Sequence, residues 1–421
     1  MLKNKTLKDY LAIAGTNIIL QPIQLIKSIV VAKFLGPDSF GILKSLELIQ
    51  MLDKYGNLGF RAAAAREIGN AKGRGDLGKE IIVRNNAYSG EIILSLFLFL
   101  TGCISSIIIK DETISLMLLI SSFSLLFSKL RGIFNTEVTI QKKFIFLSKV
   151  TFGVTLLNSL LIILTVPYFG VYSVISANAL IGFIAIIIYL LKLKFEFSFE
   201  IDKKEMKRIL KISIPLTIST LSLGSFKYAE RLIIIILLGQ LALGYYGFAV
   251  MVQTTFLIIF KSAIKVRVQD LYELVGNGNY RKVNSIVIRE TLLLFFGSMI
   301  IIPVVIFSIK YFIPWLLPKW SEGIIYAQIY ILMLFPEVLP LYASNVLISA
   351  TVDKVRIIYY LRFLSTALLL GLTYFFNILG KFDLISFIYI NIISHLFYSL
   401  SIVFYYKKYF FNIYIKNFQD E

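Results

Sequence analysis

The sequence predicts an all-α polytopic membrane protein of about 12 transmembrane helices, arranged as two six-helix bundles. Three observations carry this prediction. The 421 residues are 57% hydrophobic, which exceeds the usual apolar content of a soluble protein. Stretches of about 20 apolar residues recur, and each is long enough to cross a bilayer. The connections between these stretches alternate between long, basic segments and short, nearly uncharged ones.

Twelve apolar spans are predicted from this pattern. They lie near residues 10–34, 38–60, 85–109, 113–133, 148–168, 171–191, 212–238, 241–263, 289–309, 323–347, 359–379 and 384–406. The first follows the basic segment MLKNKTLKDY and has no small-residue cleavage site, so it is interpreted as a membrane helix and not as a removable signal.

The basic connections set the predicted orientation, because lysine and arginine concentrate on the cytoplasmic side of a membrane. They include residues 61–84, 192–211 and 261–289. Both chain termini fall on the same side, so both are predicted to be cytoplasmic. The net charge of +18 is explained by this bias, and no nucleic-acid partner is expected.

The second half of the chain repeats features of the first. FLGPDSFGIL at 34–43 resembles LLGQLALGYYGFA at 237–249, and GDLGKEIIVRN at 75–85 resembles GNYRKVNSIVIRE at 278–290. Both halves start in the cytoplasm, which predicts a pseudo-two-fold axis along the membrane normal. The predicted domains are an N-terminal bundle, 1–200, and a C-terminal bundle, 201–421.

The span at 213–238 carries charges well inside it, where each costs a few kcal/mol unless it meets water or a partner. Lys227 and Arg231 share one helical face with Ser213, Thr217 and Thr220, and Glu230 lies beside them. This stripe predicts the lining of a polar cavity. The alternative is that the charges pair with neighbouring helices and only hold the bundle together.

The first two spans carry a similar set. Gln24 and Lys27 belong to one stripe of the first span, and the repeat places Lys27 opposite Glu230. In the second span Glu47 and Lys54 share a face and Asp53 points elsewhere. Two interpretations of the second span remain open. Its charges form an ion-paired stripe inside the protein, or they pair within the bundle interior and bind no ligand. Glu337, between Pro336 and Pro340, is a candidate coupling-ion residue in a broken helix.

Residues for catalysis are missing. The one histidine, His395, lies in an apolar span and is interpreted as a packing residue, as is the one cysteine, Cys103. No nucleotide-binding or hydrolase motif and no Cys/His cluster is present. The sequence therefore predicts that the protein is not an enzyme and uses no metal and no cofactor.

The FLGPDSFGIL turn, the polar second helix and the basic loop REIGNAKGRGDLGKEI resemble bacterial polysaccharide exporters. These are O-antigen or capsule repeat-unit flippases of the multidrug/oligosaccharidyl-lipid/polysaccharide exporter superfamily, with a MATE-like fold. The resemblance implies two bundles around a central cavity that work by alternating access in the bacterial inner membrane. It implies an undecaprenyl-diphosphate-linked oligosaccharide as substrate. The further partners that we expect are membrane lipids, a glycan polymerase and chain-length proteins. Without a nucleotide site, transport would draw on an ion gradient, of H+ or Na+, or on the substrate's own gradient.

The charges inside the spans lean basic, which suits a diphosphate better than a cationic drug. The basic set is Lys27, Lys33, Lys44, Lys54, Lys227 and Arg231, and the acidic set is Glu47, Asp53, Glu230 and Glu337; Glu91, Lys129 and Arg131, near predicted span ends, are left out. Lys27, Gln24, Lys227, Arg231 and Lys54 are the predicted substrate-binding residues, and the four acids are predicted to act in ion pairing, gating or coupling. The alternatives are an ion-coupled drug or metabolite antiporter of the same fold, a membrane enzyme of glycan assembly, and a scaffold that transports nothing.

Overall fold

The computed structural model describes residues 2–55, 58–194, 196–277, 279–350 and 352–419, with side chains at most positions between Gly15 and Tyr409. The regular elements in these ranges are helices. They are α1 (Leu2–Tyr55), α2 (Phe60–Gly73), α3 (Leu77–Ile108), α4 (Glu112–Ile140), α5 (Phe144–Phe169), α6 (Val171–Lys192), α7 (Lys203–Leu237), α8 (Gly239–Gly276), α9 (Tyr280–Leu316), α10 (Ile324–Tyr330), α11 (Leu334–Val338), α12 (Leu341–Ala350), α13 (Val352–Ile378) and α14 (Leu384–Gln419), with 3-10 turns at Pro318–Gly323 and Ile331–Met333.

The number of membrane-spanning segments agrees with the predicted fold class. Within the described ranges, ten helical segments are long and apolar enough to cross a membrane, or eleven if the bent pair Lys203–Ser222 and Gly224–Leu237 counts as one span. The first of them, Ile19–Asp53, contains Gly36, whose φ of 71° and ψ of 175° are not helical. Gly36 therefore divides α1 at the point where two spans were predicted.

The chain folds as two compact units. The first comprises Met1–Leu35 and Ile42–Leu221, and the second comprises Gly36–Gly41 and Ser222–Glu421. The short segment Gly36–Gly41 thus packs with the second unit, although the chain on both sides of it belongs to the first. The division of the sequence at residue 200 into two bundles stays a prediction.

Two apolar clusters lie among the described residues of the first unit. One joins α2, α3, α4 and the start of α7 through Phe60, Ile68, Tyr88, Ile133 and Ile209. The other joins α4, α5 and α6, where Phe134 and Tyr189 stack with ring centroids 5.7 Å apart. The side chains of Asp76 and Asp111 accept hydrogen bonds from Lys79 N and Ile114 N and so cap the first turns of α3 and α4.

Residues 196–202, which lead into α7, form an extended strap that lies against α3. Three of its alternate backbone N–H groups, those of Ser198, Glu200 and Asp202, donate hydrogen bonds to α3 side chains. The acceptors are the buried Asn85, Ser89 and Asn86, in that order, at 3.2, 3.1 and 2.7 Å. An extended segment has no internal partners for its N–H groups, so α3 satisfies them from outside.

The two related glycine motifs meet inside the second unit. Gly36 and Gly239 both have positive φ, 71° and 83°, which an L side chain disfavours. A Cβ at Gly41 would collide with the carbonyl of Gln240, and one at Gly244 would collide with the carbonyl of Pro37. Only glycine permits this backbone approach, which fixes the segment Gly36–Gly41 against the start of α8.

The predicted tenth span is not one continuous helix. The region Pro318–Ile348 is long and apolar enough to cross a membrane, but the 3-10 turn Ile331–Met333 interrupts it, and α11 ends at Val338 before α12 starts at Leu341. Glu337 therefore lies in a five-residue helix between two breaks.

Candidate functional site: charged clusters within the spanning helices

Lys27 and Glu47, two of the predicted residues, come together in the first unit. Lys27 is half-buried on α1, and its charged neighbours are Glu47 and Lys44. The Nζ of Lys44 donates to Oε1 of Glu47 at 2.6 Å. One carboxylate thus faces two ammonium groups, so this group of three carries a net positive charge.

Two further predicted residues of α1 complete the description of this helix. Gln24 is exposed one turn before Lys27, and its backbone carbonyl accepts a hydrogen bond from Ser28 Oγ at 2.8 Å. The side chain of Lys54 lies outside the part of the chain that the structure describes, so its assignment to substrate binding stays a prediction.

Asp53 is bound by side chains of α2 and α4. The Nη2 of Arg61, in the first turn of α2, donates both to the backbone carbonyl of Asp53 at 2.6 Å and to Oδ1 at 2.9 Å. The hydroxyl of Ser128 on α4 donates to the other oxygen, Oδ2, at 2.6 Å. Both carboxylate oxygens of Asp53 are therefore engaged, and they bind α1 to α2 and α4.

A second ion pair extends this cluster into the protein interior. Glu91 on α3 and Lys129 on α4 are both fully buried, with 3.2 Å between Oε1 and Nζ. The Nε of Arg61 lies 3.4 Å from the same Oε1. Asp53, Arg61, Glu91 and Lys129 thus form a row of two acids and two bases. We call it the neutral cluster, because its charges cancel, as burial in a membrane favours.

The predicted polar stripe of α7 divides into two environments. Ser213 and Thr217 are buried in the first unit, where the absence of a side chain at Gly59 lets the turn before α2 pack onto the carbonyl of Ser213. Further along, in the second unit, Lys227 is exposed and Arg231 is half-buried. Only this later part of the stripe has a charged side chain accessible from outside the unit.

Glu230 is buried in the second unit, with 6% of its surface exposed. One of its oxygens lies 3.9 Å from Nε2 of His395 on α14. The hydroxyl of Tyr246 on α8 and the amide of Asn391 on α14 are also within reach of the carboxylate. Asn391 Nδ2 donates to the Tyr246 hydroxyl at 2.8 Å, so the acid sits at the end of a polar row between helices.

Arg362 on α13 approaches the same place. Its guanidinium lies between two rings, 4.8 Å from the centroid of Phe226 and 4.6 Å from that of Tyr398. The ring of Phe226 also meets His395 edge-on at 4.4 Å. Two nitrogens of the Arg362 guanidinium, Nε and Nη1, are buried without a hydrogen-bond partner. A buried N–H group without a partner is costly, so this guanidinium retains unused capacity to bind an oxyanion.

In the second unit two cations, Lys227 and Arg362, lie near the buried acid Glu230 and interact with it electrostatically. Among the described residues, no carboxylate oxygen lies within 4 Å of Lys227 or of Arg362, while Glu230 is next to His395. Glu337 is half-buried and faces Lys261, with 3.9 Å between Oε2 and Nζ. The cation excess of this unit contrasts with the neutral cluster of the first.

Comparison with known protein families assigns the chain. A sequence profile described as "Polysaccharide biosynthesis protein" matches residues 6–268, which is more than half of the chain. The chain belongs to this family. A comparison with curated proteins found no match. The resemblance to polysaccharide exporters that the glycine turn and the basic loop indicated is thereby confirmed.

Solved structures show the fold that this polysaccharide biosynthesis protein shares. An inward-facing multidrug resistance MATE family transporter of the MOP superfamily matches with a TM-score of 0.71 and 14% identity, over 93% of this chain and 94% of its own. An outward-facing one matches with a TM-score of 0.60 and 15% identity, over 96% and 95%. A third match is a MOP superfamily transporter from Pyrococcus furiosus, for which the reverse polarity of the binding pocket suggests a different function. Its TM-score is 0.58 and its sequence identity 14%, over 96% of this chain and 95% of its own. At these identities the likeness shows the fold alone. The chain therefore shares its fold with these transporters.

Four charged residues of these clusters were not among the predicted site residues. Glu91 and Lys129 were set aside because they lie near span ends, Arg61 was placed in a basic connection, and Arg362 was not singled out at the start of the predicted span 359–379. One signal was available for the first pair, since an acid in one apolar span and a base in the next one suggest a buried pair. For Arg362 the rings come from other helices, and nothing in the local sequence indicates them.

Proposed function

We propose that this polysaccharide biosynthesis protein is a flippase. It moves an undecaprenyl-diphosphate-linked oligosaccharide repeat unit, of O-antigen or capsule type, from the inner to the outer leaflet of the bacterial inner membrane by alternating access. The family match supports the polysaccharide context, and the excess of cations in the second unit suits a diphosphate. In this proposal both termini are cytoplasmic.

The cations recognise the substrate in this proposal. Lys27, Lys54, Lys227 and Arg231 attract the diphosphate or acidic sugars, and Gln24 donates hydrogen bonds to the glycan. Arg362 joins them, because two of its N–H groups are unused and a charged guanidinium is a strong hydrogen-bond donor to phosphate oxygens.

The acids respond to the substrate and to the coupling ion. Glu47 pairs with lysine in one state and releases it in another, which would give the protein two stable arrangements. Glu230 and Glu337 are the candidates for coupling to H+ or Na+. Asp53 holds α1 against α2 and α4 through Arg61 and Ser128, so its contribution is to keep Lys27 and Lys54 in position. A glycan polymerase and chain-length proteins would act on the product.

The test is the surface glycan of a strain that lacks this protein, complemented by variants. The wild-type chain and the matched control Lys381→Ala, an exposed loop charge of the second unit, are expected to restore the polymer. The double variant Lys27→Ala/Arg231→Ala is expected to leave lipid-linked repeat units on the cytoplasmic side. An unchanged glycan in the deletion strain, together with altered efflux of cationic dyes, would favour the drug antiporter instead.

A further inference from the structure

The paired helices α5 and α6 of the first unit carry a groove on their outer surface. It encloses about 410 Å³ and is lined by aliphatic side chains of both helices, among them Val150, Leu157, Ile181 and Ile188. A Cβ at Gly153 would meet no atom within 4 Å apart from its chain neighbours and the backbone of its own helix, so the groove has an open floor at this position. Its lining is almost entirely apolar apart from two lysines, Lys149 and Lys192.

The dimensions of the groove match half of a bilayer. Its lining runs from Phe146 to Leu157 on α5, which corresponds to roughly 16 Å of helix at about 1.5 Å per residue. The hydrocarbon core of a membrane is about 30 Å thick. The groove therefore has the length of one acyl chain in one leaflet.

The two lysines are at one end of this groove. Lys149 is in the second turn of α5, Lys192 is the last residue of α6, and both are exposed. No carboxylate oxygen of the described residues lies within 4 Å of either one. Lysine side chains at this depth extend along the helix and place the ammonium group at the level of the lipid headgroups.

The other half of the same helix pair lacks this feature. A second depression, of about 350 Å³, is lined by Leu161, Thr165, Phe169, Tyr172, Ser173 and their neighbours. Its polar groups are hydroxyls and it contains no charged residue. The groove and the second depression are therefore similar in size, but only the groove contains charged residues. Its two lysines favour an anionic ligand.

We propose that the groove between α5 and α6 binds one anionic glycerophospholipid of the leaflet at its lysine end. The headgroup phosphate is held between Lys149 and Lys192, and one acyl chain runs along the open floor at Gly153. A lysine near an anionic membrane surface strengthens binding by roughly fivefold, so two lysines give a preference of about twenty-five-fold for an anionic over a zwitterionic lipid.

The experiment is lipid titration of the purified full-length protein, followed by native mass spectrometry. Phosphatidylglycerol and phosphatidylcholine with identical acyl chains are compared on the wild type, on Lys149→Gln/Lys192→Gln and on the charge-conserving Lys149→Arg/Lys192→Arg. The control is Lys310→Gln, which removes an exposed lysine from α9. We expect a preference for phosphatidylglycerol that the glutamine pair abolishes and that the arginine pair and the control retain.

A second variant tests the acyl-chain part. Gly153→Leu fills the floor of the groove and leaves both lysines in place, so it is expected to weaken both lipids by a similar factor. Equal binding of the two lipids to the wild type would overturn the proposal, as would a preference that survives the glutamine pair. Displacement of phosphatidylglycerol by undecaprenyl diphosphate in a lysine-dependent way would also overturn it, because the groove would then belong to the substrate.

Discussion

Arg61 occupies the space in which a side chain at Gly132 would begin. A Cβ built at Gly132 on α4 would collide with Nη1 of the Arg61 guanidinium. Because Gly132 has no side chain, Arg61 can lie between α3 and α4 and reach Asp53 and Glu91 at once. The neutral cluster thus depends on one small residue that carries no charge itself.

Gly132→Ala is expected to destabilise the protein. The added methyl group displaces Arg61 and leaves Asp53 and Glu91 without it, and breaking a buried ion pair typically costs about 3–5 kcal/mol. Thermal unfolding in detergent measures the loss. The matched control is Gly153→Ala, since that position is open and alanine favours a helix. If both variants unfold at the same temperature, the packing argument fails.

Glu91 and Lys129 are expected to be coupled. Either Glu91→Gln or Lys129→Met alone leaves a net charge in a fully buried place and lowers the unfolding temperature strongly. The double variant leaves the neutral pair Asp53 and Arg61. Its loss in free energy of unfolding is expected to be smaller than the sum of the losses of the two single variants. A double-mutant cycle gives this interaction free energy, and additive effects would show that the pair is not coupled.

Arg362→Gln is expected to reduce glycan export by about tenfold, because a charge-assisted hydrogen bond to an anion contributes about 1.5–3 kcal/mol. Arg362→Lys keeps the charge but loses the planar contact with Phe226 and Tyr398, so it should retain part of the export. The amount of surface polymer per protein in the membrane measures both, with Lys381→Gln as control. Equal export in all three variants would remove Arg362 from the site.

Glu230→Gln tests coupling in the second unit. The amide has nearly the shape of the carboxylate but cannot carry its charge or bind a proton in exchange. Flipping in vesicles is expected to lose its stimulation by an imposed proton or sodium gradient. Glu337→Gln is the comparison, because Glu337 is the other candidate acid. Stimulation that persists in Glu230→Gln and disappears in Glu337→Gln would transfer the coupling role to Glu337.

Asn86→Leu tests the strap between α6 and α7. The substitution removes the acceptor for Asp202 N–H and leaves a buried donor without a partner. The strap is then expected to detach more often, so trypsin should cleave after Lys194 or Lys203 faster than in the wild type. Asn70→Leu, at an exposed position of α2, is the control. Unchanged cleavage would mean that the remaining bonds to Asn85 and Ser89 hold the strap alone.

The sequence predicted the helical membrane fold and its family well, because span length and charge bias are local properties. The apolar runs and the basic connections can be counted residue by residue, and the FLGPDSFGIL turn appears within ten residues. Gly36 was expected in the FLGPDSFGIL turn, and its positive φ value agrees with that expectation.

The partners of the charged residues were harder to predict, because they depend on contacts between distant helices. Asp53 meets Ser128 across 75 positions of the sequence, and Arg362 meets Phe226 across more than a hundred. Helical periodicity identifies which residues share a face but not what that face touches. It placed Ser213 and Thr217 on a polar stripe, whereas tertiary packing buries both next to Gly59.

The segment Gly36–Gly41 has a consequence for dissecting the molecule. This segment lies in the middle of α1 and packs against Gln240 and Gly244 at the start of α8. The middle of α1 therefore obtains its packing partners only after some two hundred further residues have been translated. The two halves should therefore fail to mature as independently expressed fragments, and co-expression should rescue them. Shuffling halves between homologous transporters should likewise succeed only when this glycine-rich junction is exchanged together with its counterpart.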